Sequence, residues 1–343
     1  MTTARIGWFA QIGLADRPRV GGKGGSLGEL TRAGIAVPPG FVITTAAFEE
    51  FVAALRLRDE VAALEAGDLA AIEACSRRLR ARVESEELAA SLRTEIGAAY
   101  RELADRAGGA VAVRSSATTE DASDASFAGL QDTYLWITNE ERMVDRVRAC
   151  WASLYSVESI AYRRDRGIAE GVVAMAVVVQ SMVDARVAGV MFTRSPTTGD
   201  RSVITIEGAW GLGSAVVGGE VTPDRWVVSK ITGEISVRDL SNKHIEHRRA
   251  PAGGVETVEV APDRRTAACL DDAQLERLRI VGRQVEKHYG RAQDIEWALD
   301  ANGELLLLQS RPETVWSAKE TAPVATAATD PLAHVMSIFG GRH

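Results

Sequence analysis

Three short stretches of the 343-residue sequence place charged, hydroxyl or amide groups beside glycines or at strand ends, where a ligand can reach them. In VGGKGGS, Lys23 stands between two pairs of glycines. Glycines let the backbone approach an anion closely, and a lysine ammonium is a mobile point charge suited to phosphate. The order is not that of a Walker A loop, because glycines and not a Ser or Thr follow the lysine. In AVRSSATTEDASDASFAGLQDT, Arg114 follows an apolar, β-like run and offers a two-pronged clamp for phosphoryl oxygens. Ser115, Ser116, Thr118 and Thr119 add hydroxyls, and Ser126, Gly129 and Gln131 have the composition of a flexible cover whose backbone N–H groups meet terminal phosphates. In DIEWALDANGELLLLQSRPE, strand alternation sets Glu296 opposite Ile295 and Trp297, and puts Gln309 and Arg311 on one side of the following strand. A carboxylate and an amide oxygen can share a hard Mg²⁺ while the arginine neutralises phosphate charge, with Asp294 a weaker metal candidate on the face of Glu296.

Singly, these clusters also fit a tight surface turn, a helix-capping loop and an exposed strand rim. Together they describe a triphosphate site that works by positioning and electrostatic relief of phosphoryl oxygens. The base would need a flat apolar slot, and VVVQSMV supplies one candidate: Met182 can pack the ring, and the backbone from Gln180 to Val183 can read its edge.

The elements that must position these groups suggest two α+β lobes and a tail. In the first, residues 1–182, a glycine-rich turn around Lys23 leads to a short helix capped by Ser26, and residues 46–107 are largely helical. Strands are expected at FVITT, at Val111 to Val113, at TYLWI and, centrally, over the valine-rich Val172 to Gln180. In the second, residues 183–316, short strands alternate with turns, residues 271–289 form one amphipathic helix, and Asn302-Gly303 marks a hairpin. Residues 317–343 read as a linker-like tail with a short apolar element, LAHVMSIF.

Composition narrows the partners. A formal charge of -7 disfavours a general nucleic-acid or anionic-membrane surface. Three widely spaced cysteines give neither a disulfide framework nor a metal pattern, so a reducing cytoplasm is expected. The most apolar run is strand-sized and far short of a membrane span.

The stretches VGGKGGSLGELTRAGIAVPPGFVIT, AVRSSATTEDASDASFAGLQDTYLWI, MFTRSPTTGD and DIEWALDANGELLLLQSRPE, in this order, resemble the nucleotide-binding domain of phosphoenolpyruvate synthase, pyruvate phosphate dikinase and rifampicin phosphotransferase. The resemblance runs from about Trp8 to Trp316. It implies an ATP-grasp fold whose lobes hold Mg-ATP, with Lys23, Arg114 and Arg311 on the phosphates and Glu296 and Gln309 at the metal and nucleotide. It also implies that Ser126 to Gly129 close over the phosphate end, and it places Arg194 and Glu207 in family motifs. Full-length members carry a swivelling domain with a phosphoryl-accepting histidine, a context that neither His334 nor His343 has. The resemblance therefore implies a histidine on a separate subunit, as in phenylphosphate synthase, serving a small hydroxyl or enol acceptor such as a phenol or pyruvate. Competing expectations are a stand-alone ATP-grasp kinase or ligase, and a non-catalytic ATP sensor.

Overall fold

A computed structural model of the chain describes residues 4–62, 69–118, 132–314 and 316. Ser126, Gly129, Gln131 and the tail with His334 and His343 lie outside the described residues. The architecture is α+β: two antiparallel sheets, each backed by helices, with a cleft between them.

The first sheet contains β1 (Ile6–Trp8), β2 (Gly40–Ile43), β3 (Val111–Ala117), β4 (Thr133–Ile137) and β5 (Met175–Ser181), in the order β1-β2-β5-β3-β4. The valine run at β5 is central, flanked by β2 and β3, which explains its apolar residues on both faces. Around the sheet lie α1 (Arg17–Arg32), α2 (Thr45–Leu55), α3 (Leu57–Ala62), α4 (Leu69–Ser85), α5 (Ala90–Ala107), α6 (Glu140–Ser153) and α7 (Val157–Asp165). Phe41, Ile43, Val113, Val177 and Val179 point to one face and pack with Phe48, Ile96, Val147 and Trp151 from the helices. Each such side chain, fully buried, contributes about 1.5–3 kcal/mol. The alternate residues Val42, Ala176 and Val178 meet Val20 and Leu27 of α1 on the other face.

The expected glycine-rich turn is instead helix. α1 is broken only at Gly21, with φ 70° and ψ 179°, and is helical through Lys23 and Ser26. Gly21 is required twice over: its φ is left-handed, and a Cβ there would lie 2.2 Å from the Ser116 carbonyl oxygen. Ser116 seals the break, its hydroxyl donating to the Val20 carbonyl at 2.9 Å and accepting from the Gly24 N–H at 3.2 Å. Beyond the break, close packing outweighs the poor helix propensity of glycine, about 1 kcal/mol per residue. At Gly28 a Cβ would come within 2.6 Å of the Ile12 carbonyl oxygen. Ser26 is accordingly no cap; its hydroxyl donates across the molecule to the Ser310 carbonyl at 2.6 Å.

Between Ser181 and Ala185 the chain passes to the second sheet. Its strands are β6 (Ala185–Phe192), β7 (Val203–Trp210), β8 (Asp224–Ser229), β9 (Ile235–Asp239), β12 (Gln293–Asp300) and β13 (Leu305–Pro312), ordered β13-β12-β6-β7-β8-β9. A separate hairpin is formed by β10 (Ile245–Arg249) and β11 (Val255–Glu259), and the helices are α8 (Ser214–Val217), α9 (Pro262–Arg265) and α10 (Asp272–Tyr289). Asp271 and Gln274 form a reciprocal capping box that starts α10, and Gly290, with φ 67°, ends it. Leu275, Leu278 and Val285 of α10 cover Ile204, Ile206 and Trp297 on one face of the sheet. The opposite face carries small residues, among them Ala188 and Ala298, and turns toward the cleft.

Candidate nucleotide site

Arg114 joins the two sheets. It sits on β3 beside Val178 and is only 7% exposed. Its Nη1 donates to the Leu308 carbonyl at 2.8 Å, and its Nη2 donates to Glu296 Oε2 at 3.0 Å and Gln309 Oε1 at 2.7 Å. All three acceptors belong to the β12–β13 pair. Glu296 and Gln309 are direct cross-strand partners, so alternation puts both on the cleft face. The register then shifts between Glu296 and Trp297, which leaves Leu308 outside the pairing and its carbonyl available to Arg114.

A cavity of about 380 Å³ opens between the sheets next to this cluster. Leu135, Met182, Val183, Ala188, Ala298 and Leu308 give it an apolar wall, with Gln180, Arg114 and Glu296 as polar points. Its size and lining suit a flat ring with a polar edge. The connector is itself fixed: Ser181 N–H donates to the Pro39 carbonyl at 2.9 Å and Met182 N–H to the Ala110 carbonyl at 2.9 Å. Those two donors are therefore committed to the protein.

Residues 17–330 match the family described as pyruvate phosphate dikinase, AMP/ATP-binding domain. The chain belongs to that family. It is similar to a probable phosphoenolpyruvate synthase of Methanothermobacter thermautotrophicus, at 42% identity over 90% of this chain and 46% of that protein. It is also similar to the phosphoenolpyruvate synthase of Pyrococcus furiosus, at 36% identity over 93% of this chain and 45% of that one. The chain thus spans less than half the length of these curated relatives. Among solved structures, D-alanyl-alanine synthetase A of Vibrio cholerae overlays weakly, with 12% identity over 70% of this chain and 54% of that one and a TM-score of 0.26.

Within this dikinase ATP-binding domain the remaining predicted residues have distinct surroundings. Lys23 is buried on α1, outside the wall of the 380 Å³ cavity. It is near enough to α6 for its charge to favour the Cys150 thiolate, although burial pushes that thiol well up. Arg311 lies on the cleft-side rim, half exposed, with its Nε 3.5 Å from Asp294 Oδ2. Burial pushes the Asp294 carboxyl up to about 6; Arg311 opposes the shift and Glu313 adds to it. Asp294 Oδ1 is buried without a hydrogen-bond partner. Arg194 holds the loop after β6, donating to the Gly199 carbonyl at 2.8 Å and lying 5.8 Å from the Trp316 ring centre. Glu207, one strand beyond Val190 in the row of Glu296, has its carboxyl raised by burial, against the pull of Arg225.

No group of three or more His, Cys, Asp or Glu side chains among the described residues can hold a metal by itself. The Glu296 carboxylate and Gln309 amide are hard oxygen donors and already meet at one cation, the Arg114 guanidinium. That set fits Mg²⁺, which commonly takes one or two protein oxygens and completes its shell with phosphate and water. Sequence reasoning missed the Leu308 carbonyl, because nothing in LLLLQSR marks the bulge. No helix among the described residues is long and apolar enough to cross a membrane.

Proposed function

We propose that this chain is the ATP-binding, phosphoryl-donating half of a dikinase-type phosphotransferase, with an ATP-grasp clamp whose lobes meet near residue 182. ATP is converted to AMP, giving up two phosphoryl groups. One passes to a histidine on a separate swivelling subunit and then to a small hydroxyl or enol acceptor, phenol-like or pyruvate. The other is released to water as phosphate or placed on a co-substrate. The observation that carries the reading is the reach of Arg114 across the cleft to Glu296 and Gln309. It assembles a cation, a carboxylate and an amide at one end of an apolar slot. The names of the relatives support an enol acceptor. Three buried free thiols fit a reducing cytoplasm.

In this scheme the base enters between Met182 and the Ala188–Ala298 wall, read by Val183 and by connector carbonyls. The phosphates then lie toward Arg114, whose guanidinium meets negative charge as it moves from one phosphoryl group to the next. Glu296 and Gln309 would hold Mg²⁺, which supplies charge neutralisation of the phosphates when bound. Lys23 and Arg311 approach from α1 and the outer strand. As the imidazole nitrogen of the relay forms its bond to phosphorus, the P–O bond to the departing nucleotide breaks.

The test is incubation with β-labelled ATP and the candidate partner. Label should appear on the partner as an acid-labile, base-stable adduct, with AMP formed in parallel. Product formed without a partner would support a stand-alone kinase, and ATP binding with no covalent label on either chain would support a sensor.

A further inference from the structure

A second pocket, of about 740 Å³, lies where the β10–β11 hairpin meets β4 of the first sheet. The seam is held by Gly254 N–H donating to the Trp136 carbonyl at 3.3 Å and by Arg249 lying 5.2 Å from the Trp136 ring centre. Tyr134 and Trp136 of β4, Arg142 and Arg146 of α6, Ser214 of α8 and His247 of β10 form its wall. Ser214 also lines the nucleotide cleft, so the two spaces share a partition.

Three features there serve nothing described so far. Trp136 has φ 56°, in the left-handed region that a bulky side chain rarely adopts, at a bulge in the β3–β4 register. Strain of that kind persists only where the surroundings impose it, and it gathers at ligand sites. The Trp136 indole N–H and His247 Nε2 are both buried without a hydrogen-bond partner, on side chains whose residues are 6% and 8% exposed. Such groups normally find a partner, and leaving one unmade costs about 1–3 kcal/mol. Ser214 Oγ engages His247 Nδ1 at 2.8 Å, and the Glu220 carboxylate is 3.4 Å from Nε2, placed for charge and not for a hydrogen bond. At the rim the charge balance is positive. Arg142 and Arg146 are exposed, with Arg146 stacked 4.8 Å over Tyr134, whereas Asp145 is paired with Arg148 at 2.6 Å.

We propose that this seam pocket is a second ligand site, taking a compact phosphate-type oxyanion, either free or as the phosphoryl group of a small metabolite. The pocket wall brings together two guanidinium groups and two side chains that each keep a ring nitrogen without a hydrogen bond, a set of donors suited to an oxyanion. Because its walls come from β4 and α6 on one side and from α8 and the β10–β11 hairpin on the other, an occupant favours one disposition of these parts, and through the partition shared with the cleft linkage makes it alter ATP affinity. The site needs no turnover, so it stands apart from the dikinase reading.

The experiment titrates inorganic phosphate and, separately, glycerol 3-phosphate into the full chain without nucleotide. The Trp136 indole N–H signal is followed by NMR and assigned with Trp136→Phe. A saturable shift is expected, weakened about tenfold or more in the Arg142→Gln/Arg146→Gln double variant, since each pair is a charge-assisted contact. Both arginines are exposed, so the double variant folds. Tighter binding of one probe identifies the free or the esterified form as the occupant. No saturable shift with either probe, or a shift of equal strength in the double variant, overturns the proposal.

Discussion

Arg114 and Arg311 both serve the cleft face of the β12–β13 pair, one reaching it from the first sheet and the other standing on β13, and their environments differ sharply. Arg114 comes from the first sheet, is almost fully buried and is held by a carboxylate, an amide and a carbonyl. Arg311 belongs to the second sheet, is 52% exposed and keeps one looser ion pair with Asp294. A buried, multiply bonded arginine is oriented before any ligand arrives, but structure and chemistry are then inseparable at that position. A rim arginine costs entropy to position at each binding event, and its loss should be felt in function alone.

The strongest way to break this comparison is Arg114→Ala. It leaves the Glu296 carboxylate and the Leu308 carbonyl without their cation, so unfolding free energy should fall by about 2–3 kcal/mol. Phosphoryl transfer should fall about a hundredfold or more. Urea unfolding alongside label transfer measures both, and an unchanged unfolding midpoint would show that the bridge between the sheets is not structural.

Glu296→Gln sharpens the same end of the cleft, since it keeps shape and a hydrogen bond to Arg114 but removes the charge. The Mg²⁺ concentration needed for half-maximal activity should rise about tenfold, with stability changed by less than about 1 kcal/mol. An unaltered Mg²⁺ titration would put the carboxylate out of the metal's reach.

At the rim, Arg311→Ala should lower transfer by about tenfold while leaving stability within about 0.5 kcal/mol. A loss of stability comparable to that of Arg114→Ala would erase the distinction drawn here.

The smallest effect is expected at Glu207, further along the same sheet face. Burial raises its carboxyl above the ordinary value of 4.5, so the folded state holds the proton more tightly than the unfolded chain does. The resulting penalty is absent at acid pH, sets in as pH rises through the unfolded value and is complete above the folded one. Glu207→Gln should therefore stabilise at pH 7 by less than about 1 kcal/mol and be neutral near pH 4. Denaturant curves at the two pH values decide it; an equal gain at both would mean that ionisation is not the cause.

Much of this arrangement is legible from local rules. Period-two alternation suffices to put Asp294 and Glu296 on one face and Gln309 and Arg311 beside them, because one face of that sheet is packed on α10. The long valine run reads as a central strand, and Asp271 announces the start of α10. The segment around Lys23 is not legible in this way. Four glycines in five residues signal a turn by propensity, yet the chain is helical on either side of Gly21, where Ser116, from far along the chain, presses against the backbone. The partners of Arg114 are hidden for the same reason: their register across the cleft depends on a bulge that no local pattern marks.

Cys75, Cys150 and Cys269 are each at most 1% exposed, and burial pushes all three thiols above their ordinary range. Thiolate is the form that alkylating reagents attack, so the folded chain should be nearly silent toward a maleimide. A single cysteine introduced on the outer surface of each sheet would then carry a fluorophore or spin label without background. The natural sequence is thereby ready for distance measurements across the cleft, with no need to strip its own thiols from the core first.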